Sequence, residues 1–116
     1  MTTVTPGTCA AQHATVSLTT AIHKLAEIGV HSEHGIRDHL QQEGVTGVPG
    51  ESSGCPIANW MIKVTGATTA RVDTYSIDLV YEVSDGPAIK VSEFTPAVIA
   101  EHIDRFDFGA YPELIA

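Results

Sequence analysis

The chain has 116 residues, of which 43% are hydrophobic and 17% charged, a composition typical of one compact globular domain. A chain of this length buries roughly two-thirds of its unfolded surface, so its core requires neither disulfides nor a structural metal. Fourteen acidic and six basic residues give a net charge of −8. This charge disfavours binding to nucleic acid phosphates or to anionic membrane surfaces.

The cellular setting expected from the sequence is the cytoplasm. No stretch approaches the roughly 20 apolar residues of a membrane span, and the N-terminus lacks the basic region and apolar core of a secretory signal. The two cysteines, Cys9 and Cys55, lie in unrelated contexts, which excludes a disulfide framework. We expect a cytoplasmic protein with no membrane association.

Residues 1–14 consist mainly of small residues and contain no large aromatic side chain. Such a segment buries little surface to offset the entropy lost on ordering, so we expect a flexible N-terminal arm. The remaining residues, 15–116, contain no linker or repeat and are predicted to form a single globular α+β domain.

The first half of the domain is predicted to be helical. Apolar residues recur at helical spacing from Leu18 to Ile28, and Gly29 is the expected end of this helix. A second helical pattern begins at Ser32 and ends at Gly44. The two helices should therefore form a helical hairpin.

A loop and a short third helix follow. Residues 44–54 include four glycines, a proline and two serines, which together predict a loop. Pro56 suits the first position of a helix, and the apolar spacing continues to Gly66. We expect Trp60 on this helix to be buried, with its indole N–H hydrogen-bonded.

The second half is predicted to contain a β-hairpin. Residues 71–83 alternate with period two, residues 84–87 have turn chemistry, and residues 88–94 resume the alternation. A hairpin alone is marginally stable, so we expect a third strand from residues 66–70 or pairing across a homodimer. A C-terminal helix over residues 96–108 should cover the sheet.

Several potential metal ligands fall in one short stretch: His31, Glu33, His34, Asp38 and His39. His39 comes five positions after His34, which places the two residues roughly 140° apart on a helix. Cys55 could complete a site from the following loop, but no known ligand motif is present. We therefore expect a solvated helix start and no metal. The loop over 44–54 also lacks the lysine and Ser/Thr of a phosphate-binding loop, so no cofactor is expected.

Cys55 admits two interpretations. A thiol at a helix N-terminus is stabilised as thiolate by the helix dipole, which would suit a small enzyme or metal-binding protein that uses Cys55 with a histidine. Alternatively, Cys55 is a buried cap residue before Pro56. We favour the structural interpretation, because buried structural thiols are commoner than activated ones.

The C-terminal segment concentrates aromatic residues, with Phe106, Phe108 and Tyr111 inside six positions. We expect the chain to turn at Gly109 and to dock Phe108, Tyr111 and Leu114 onto the fold. The alternative is that one aromatic residue stays exposed as an anchor for a partner protein.

Two segments of the chain have a distinctive residue pattern. The first is Cys-Pro-Ile-Ala-x-aromatic, from Cys55 to Trp60, and the second is Phe-Asp-x-Gly-x-Tyr-Pro-Glu-Leu, from Phe106 to Leu114. Both segments resemble signatures in small uncharacterised proteins of actinobacteria and their phages, which carry no assigned activity. The resemblance implies an actinobacterial setting and a cytoplasmic location, and it transfers no catalytic residue.

The charge distribution supports a functional hypothesis. Residues 67–116 carry nine acids and three bases, whereas residues 1–66 carry five acids and three bases. With no catalytic motif present, we expect a non-catalytic interaction protein, phage- or prophage-encoded, that binds a host protein through an acidic and aromatic surface. The candidate binding residues are Phe108, Tyr111, Glu113, Cys55 and Trp60.

Overall fold

The computed structural model describes residues 6–116, with side chains from Gln12 onward. The helices are α1 (Pro6–His31), α2 (Gly35–Gln42), α3 (Pro56–Thr65) and α4 (Ala97–Asp107); the strands are β1 (Thr69–Val72), β2 (Ser76–Tyr81) and β3 (Ile89–Phe94). A 3-10 turn, Pro112–Leu114, follows α4. The predicted α+β class, with its helical N-terminal half and C-terminal helix, is confirmed. Within the described part, no helix combines the length and the apolar content needed to cross a membrane.

The helix α1 is longer at both ends than the sequence pattern predicts. It begins at Pro6, inside the segment expected to be an arm, and Ala14 is already buried against the core. Residues 1–5 of that segment lie outside the described residues. At the other end α1 continues past Gly29, where a Cβ atom would lie 2.7 Å from Cγ2 of Val98. Gly29 therefore allows close packing of α1 against α4 and does not end the helix.

The helix α3 agrees closely with its local signals, whereas α2 begins at Gly35, three residues after the predicted start at Ser32. The backbone N–H of Gly35 bonds to the carbonyl of Ser32 in the turn before α2, and Gly44, with φ of +72°, follows the helix end. In α3, Cys55 is the N-cap, Pro56 occupies the first turn and Gly66 adopts a left-handed conformation with φ of 75°. The predicted helical hairpin of α1 and α2 and the predicted third helix are thus confirmed.

The predicted strand over residues 71–83 is divided into two strands. Oδ1 of Asp73 accepts hydrogen bonds from the backbone N–H groups of Tyr75 and Ser76, both at 2.8 Å, and this turn separates β1 from β2. Such side-chain bonding to the following backbone is a turn signal, which the strict alternation of apolar residues concealed. β1 (Thr69–Val72) supplies the third strand expected near residues 66–70.

The sheet is antiparallel with strand order β1-β2-β3. Ala70, Val72, Ile77 and Leu79 share its core-facing side, and α1 lies along β3 while α3 lies along β1. The main cover of the sheet therefore comes from α1 and α3, and not from the C-terminal helix as the sequence pattern predicts. α4 packs on α1 and α2, and its buried residues Ile99, Ile103 and Phe106 join the same core.

The C-terminal tail docks as predicted, except at one residue. Tyr111 and Leu114 are buried, and Gly47 bonds through its N–H to the carbonyl of Leu114 at 2.8 Å. Phe108, by contrast, is 91% exposed. Gly109, with φ of +85°, reverses the chain directly after Phe108, so the turn buries the following residues and leaves Phe108 outside.

Candidate functional site

Burial divides the five candidate binding residues into two groups. Cys55, Trp60 and Tyr111 are core residues, whereas Phe108 and Glu113 are on the surface. A partner protein can reach only the second group without unfolding part of the domain.

Cys55 acts as a helix cap. Its Sγ accepts a hydrogen bond from the backbone N–H of Ala58 at 3.4 Å, which satisfies one of the free donors at the start of α3. Burial raises the pKa of the Cys55 thiol, and this effect outweighs the bonds from the backbone. The thiol is therefore protonated near neutral pH, as the structural interpretation of Cys55 expects.

A histidine does approach Cys55. His102 of α4 and Cys55 line the same small cavity of about 10 Å³. Burial lowers the pKa of His102 to about 4, so thiol and imidazole are both neutral near pH 7. A cavity of this size holds about one water molecule. Cys55 also lines a larger surface cleft of about 200 Å³. Because thiol and imidazole are both neutral near pH 7, the pair provides no thiolate for the proposed Cys55–histidine chemistry.

Trp60 is fully buried, but its indole differs from the expectation. The Nε1 atom has no hydrogen-bond partner among the described residues. The ring of His39 meets the indole edge-on, with centroids 5.6 Å apart and planes at 78°. The predicted hydrogen bond is wrong: the His39 ring packs against the indole, and Nε1 makes no hydrogen bond within the described chain.

Tyr111 anchors the tail through contacts with three elements. Its ring stacks on His102 at 4.9 Å, and its hydroxyl lies 3.3 Å from Nδ1 of His34. Arg37 of α2 lies 5.8 Å from the ring centroid and forms an ion pair of 2.7 Å with Glu113. This bond to Arg37 lowers the pKa of Glu113. Glu113 thus fastens the tail to α2 and is not a free surface charge.

The potential metal ligands of the α1–α2 connection do not assemble. His34 bonds to Tyr111, whereas His39 contacts Trp60 on another side of α2. Among the side chains that the structure describes, no group of three or more histidine, cysteine or acidic residues is arranged to hold a metal ion.

The structure assembles a surface cleft that no single sequence segment revealed. The cleft has a volume of about 200 Å³ and is lined by the loop before α3, the β1–β2 turn and α4. Four carboxylates line it, and they are Glu51, Asp73, Asp104 and Asp107. No lysine, arginine or histidine of the described chain contributes to its wall. We call these four residues the acidic cleft.

Two of the carboxylates are held in place by the backbone. Oδ1 of Asp107 accepts a hydrogen bond from the N–H of Gly50 at 2.9 Å, and Asp73 is fixed by its turn. Backbone hydrogen bonds lower the pKa of Asp73, so this carboxyl is charged near neutral pH. Asp104 and Glu51 are exposed at the cleft. The cleft is therefore a region of negative potential that is set partly by rigid groups.

Two exposed aromatic residues directly follow residues of the cleft wall in the chain. Phe108 directly follows Asp107, and Tyr75 follows Thr74, another residue of the cleft wall. Both side chains are exposed to solvent, Phe108 at 91% and Tyr75 at 82%. Exposed aromatic rings next to a charged recess are typical of protein-binding surfaces.

Comparisons with protein families, with curated proteins and with solved structures found nothing that matches this chain.

Proposed function

We propose that this chain is a non-catalytic interaction protein that binds a partner protein through the acidic cleft and Phe108. The observation that carries the proposal is the juxtaposition of four carboxylates, without a basic residue in the cleft wall, and a phenylalanine that is 91% exposed. In keeping with the resemblance, the proposed setting is the cytoplasm of an actinobacterium, with a phage- or prophage-encoded protein acting on a host protein.

The chemistry of the surface defines the partner. A cleft of four carboxylates attracts lysine or arginine side chains, and its negative potential speeds the encounter with a basic surface. Phe108 would be buried in the complex, where aromatic anchors contribute most of the binding energy. The partner should therefore present a basic segment next to an apolar recess.

Affinity capture from an actinobacterial lysate tests the proposal. The wild-type protein should retain a partner, and Phe108→Ala and Asp104→Asn should each reduce its recovery at least about tenfold, as hot-spot truncations do. Both side chains are exposed to solvent, so both variants should remain folded. Tyr111→Ala is unsuitable, because Tyr111 is buried and its loss would destabilise the domain.

Matched controls separate the surface from general charge or hydrophobicity. Asp85→Asn removes one charge in the exposed β2–β3 turn, and Val30→Ala removes an exposed apolar side chain near the end of α1. Both controls should capture the partner as well as the wild type does. Equal recovery by Phe108→Ala, Asp104→Asn and the controls would contradict the proposal.

A further inference from the structure

The strand β3 forms an open edge of the sheet. In the order β1-β2-β3, the outer side of β1 is partly covered, because the N–H of Val72 bonds to the carbonyl of Ser52 at 2.9 Å. The outer side of β3 receives no such backbone bond from any residue in 6–116. Open edges of this kind readily pair with another strand.

The alternation of the antiparallel ladder identifies the free groups. Ser76 pairs with Phe94, so the next pair in the same register is Tyr75 with Thr95. The backbone N–H of Thr95 donates a hydrogen bond to the carbonyl of Tyr75, which makes this a hydrogen-bonded pair. Odd-numbered residues of β3 therefore bond to β2. The even-numbered residues Lys90, Ser92 and Phe94 direct their backbone N–H and C=O groups away from the sheet.

The side chains of these three residues lie on the open face. Leu79 pairs with Val91 and faces the core, so the even-numbered residues of β3 face the opposite side. All three are exposed, and Phe94 is 87% exposed. β3 contains no proline, and its register with β2 runs without a bulge. The edge thus lacks two common obstacles to pairing.

We propose that β3 pairs with β3 of a second copy, antiparallel, about a two-fold axis at Ser92. In this register Ser92 lies opposite Ser92 of the partner subunit, and Lys90 lies opposite Phe94 of the partner subunit. Every outward N–H and C=O of the three residues then meets a partner. The Lys90 ammonium approaches an aromatic ring on the open face, which is a favourable cation–π contact.

Other registers fit less well. A shift of one residue in the pairing would bring core-facing and open-face side chains together on one side of the joined sheet. An axis at Val91 would place Phe94 opposite residue 88, which lies outside β3. When the Lys-x-Ser-x-Phe pattern pairs antiparallel with a second copy of itself, each lysine lies opposite a phenylalanine and the serines lie opposite each other. This self-complementarity favours a second copy over an unrelated strand.

Cross-linking tests the register directly. In a Cys9→Ser background, Ser92→Cys should form an intermolecular disulfide under mild oxidation, because opposing Cα atoms of a hydrogen-bonded pair lie about 5.5 Å apart. Lys90→Cys is the matched control. Its equivalent in the second copy would lie four residues away along the strand, about 13 Å, and should not cross-link.

Light scattering on the purified protein tests the association itself. The wild type should have the mass of a dimer, Ser92→Pro should be monomeric because it removes one outward N–H, and Ser92→Ala should remain dimeric because it keeps that group. Circular dichroism should show the same fold for all three. If Ser92→Pro fails to fold, the cross-linking result decides whether β3 pairs with β3 of a second copy.

The proposal is overturned by a monomeric wild type, by a Ser92→Pro variant that folds and remains dimeric, or by equal cross-linking of Ser92→Cys and Lys90→Cys. A monomeric wild type would leave the edge to an extended segment of another protein. These outcomes are independent of partner capture at the acidic cleft.

Discussion

Three buried side-chain nitrogens of the described chain have no hydrogen-bond partner: Trp60 Nε1, His39 Nε2 and His102 Nε2. An unpartnered buried polar group costs about 1–3 kcal/mol, so their surroundings must supply compensating contacts. Aromatic rings pack against these groups, with His39 against Trp60 and His102 stacked on Tyr111, and His39 Nε2 also lies 4.0 Å from Oε1 of Glu43. At the scale of single residues, stability is therefore most sensitive at these ring contacts.

Trp60→Ala should lower the free energy of unfolding by about 3–5 kcal/mol, because it leaves a large cavity in the centre of the core. The matched control is Val64→Ala on the same helix, where the side chain is 43% exposed and the expected loss is below about 1 kcal/mol. Urea unfolding measures both. A Trp60→Ala variant as stable as Val64→Ala would contradict the burial of the indole.

Stability should fall in mild acid because of His102. Its pKa is about 4 in the folded protein and about 6.5 when unfolded, so the folded state disfavours protonation. The stabilisation that depends on neutral His102 is complete above pH 6.5. As the pH falls towards 4 it is lost, and the free energy of unfolding decreases by about 2–3 kcal/mol. Urea titrations across this range should show the loss in the wild type and a smaller slope in His102→Gln. Parallel pH profiles for the two proteins would exclude this role for His102.

The thiol of Cys55 should react slowly in the native state, because burial raises its pKa and covers the sulfur. In a Cys9→Ser background, a thiol reagent at neutral pH should label Cys55 only at the rate of unfolding. Cys55→Ser should keep the N-cap and change stability by less than about 1–2 kcal/mol. Rapid labelling of the folded protein, followed by mass spectrometry, would instead indicate an activated thiol.

At the scale of elements, the contact between α1 and α4 depends on Gly29. Alanine is a better helix former than glycine by about 1 kcal/mol, so Gly29→Ala would stabilise an isolated helix. Here the added Cβ would lie 2.7 Å from Val98 Cγ2 and 2.8 Å from Ile36 Cδ1. Gly29 thus lowers the helix propensity of α1, but it allows the two helices to pack closely.

Gly29→Ala should therefore lower the free energy of unfolding by about 1–3 kcal/mol, as overpacking does. Val98→Ala removes one of the clashing atoms, so the double variant should lose less than the sum of the two single variants. Denaturant unfolding of the wild type, the two single variants and the double variant gives the coupling free energy between positions 29 and 98. A Gly29→Ala variant more stable than the wild type would show that α1 and α4 are further apart.

At the scale of the whole molecule, the elements with strong local signals were predictable. Pro56 and Gly66 mark the ends of α3, and both depend only on backbone geometry near their own positions. The start of α1 was not predictable, because the packing of Ala14 against distant residues extends the helix. The alternating pattern of residues 71–83 does not show the division between β1 and β2, because the turn depends on hydrogen bonds to the side chain of Asp73.

The candidate site was only partly predictable for a similar reason. The acidic half of the chain contains Asp73, Asp104 and Asp107, but Glu51 comes from a loop in the other half. Only the fold brings these segments to one cleft. The exposed Phe108 was one of two alternatives for the tail, and the turn at Gly109 decides between Phe108 and Tyr111.

The central claim is that the acidic cleft and Phe108 bind a partner protein. The most direct test is the dissociation constant of the captured partner for the wild type and for Phe108→Ala and Asp104→Asn, at low and at physiological salt. We expect at least about a tenfold weaker affinity for each variant. We also expect that salt weakens wild-type binding more than it weakens that of Asp104→Asn. Equal dissociation constants for all three proteins, with no effect of salt, would contradict the account.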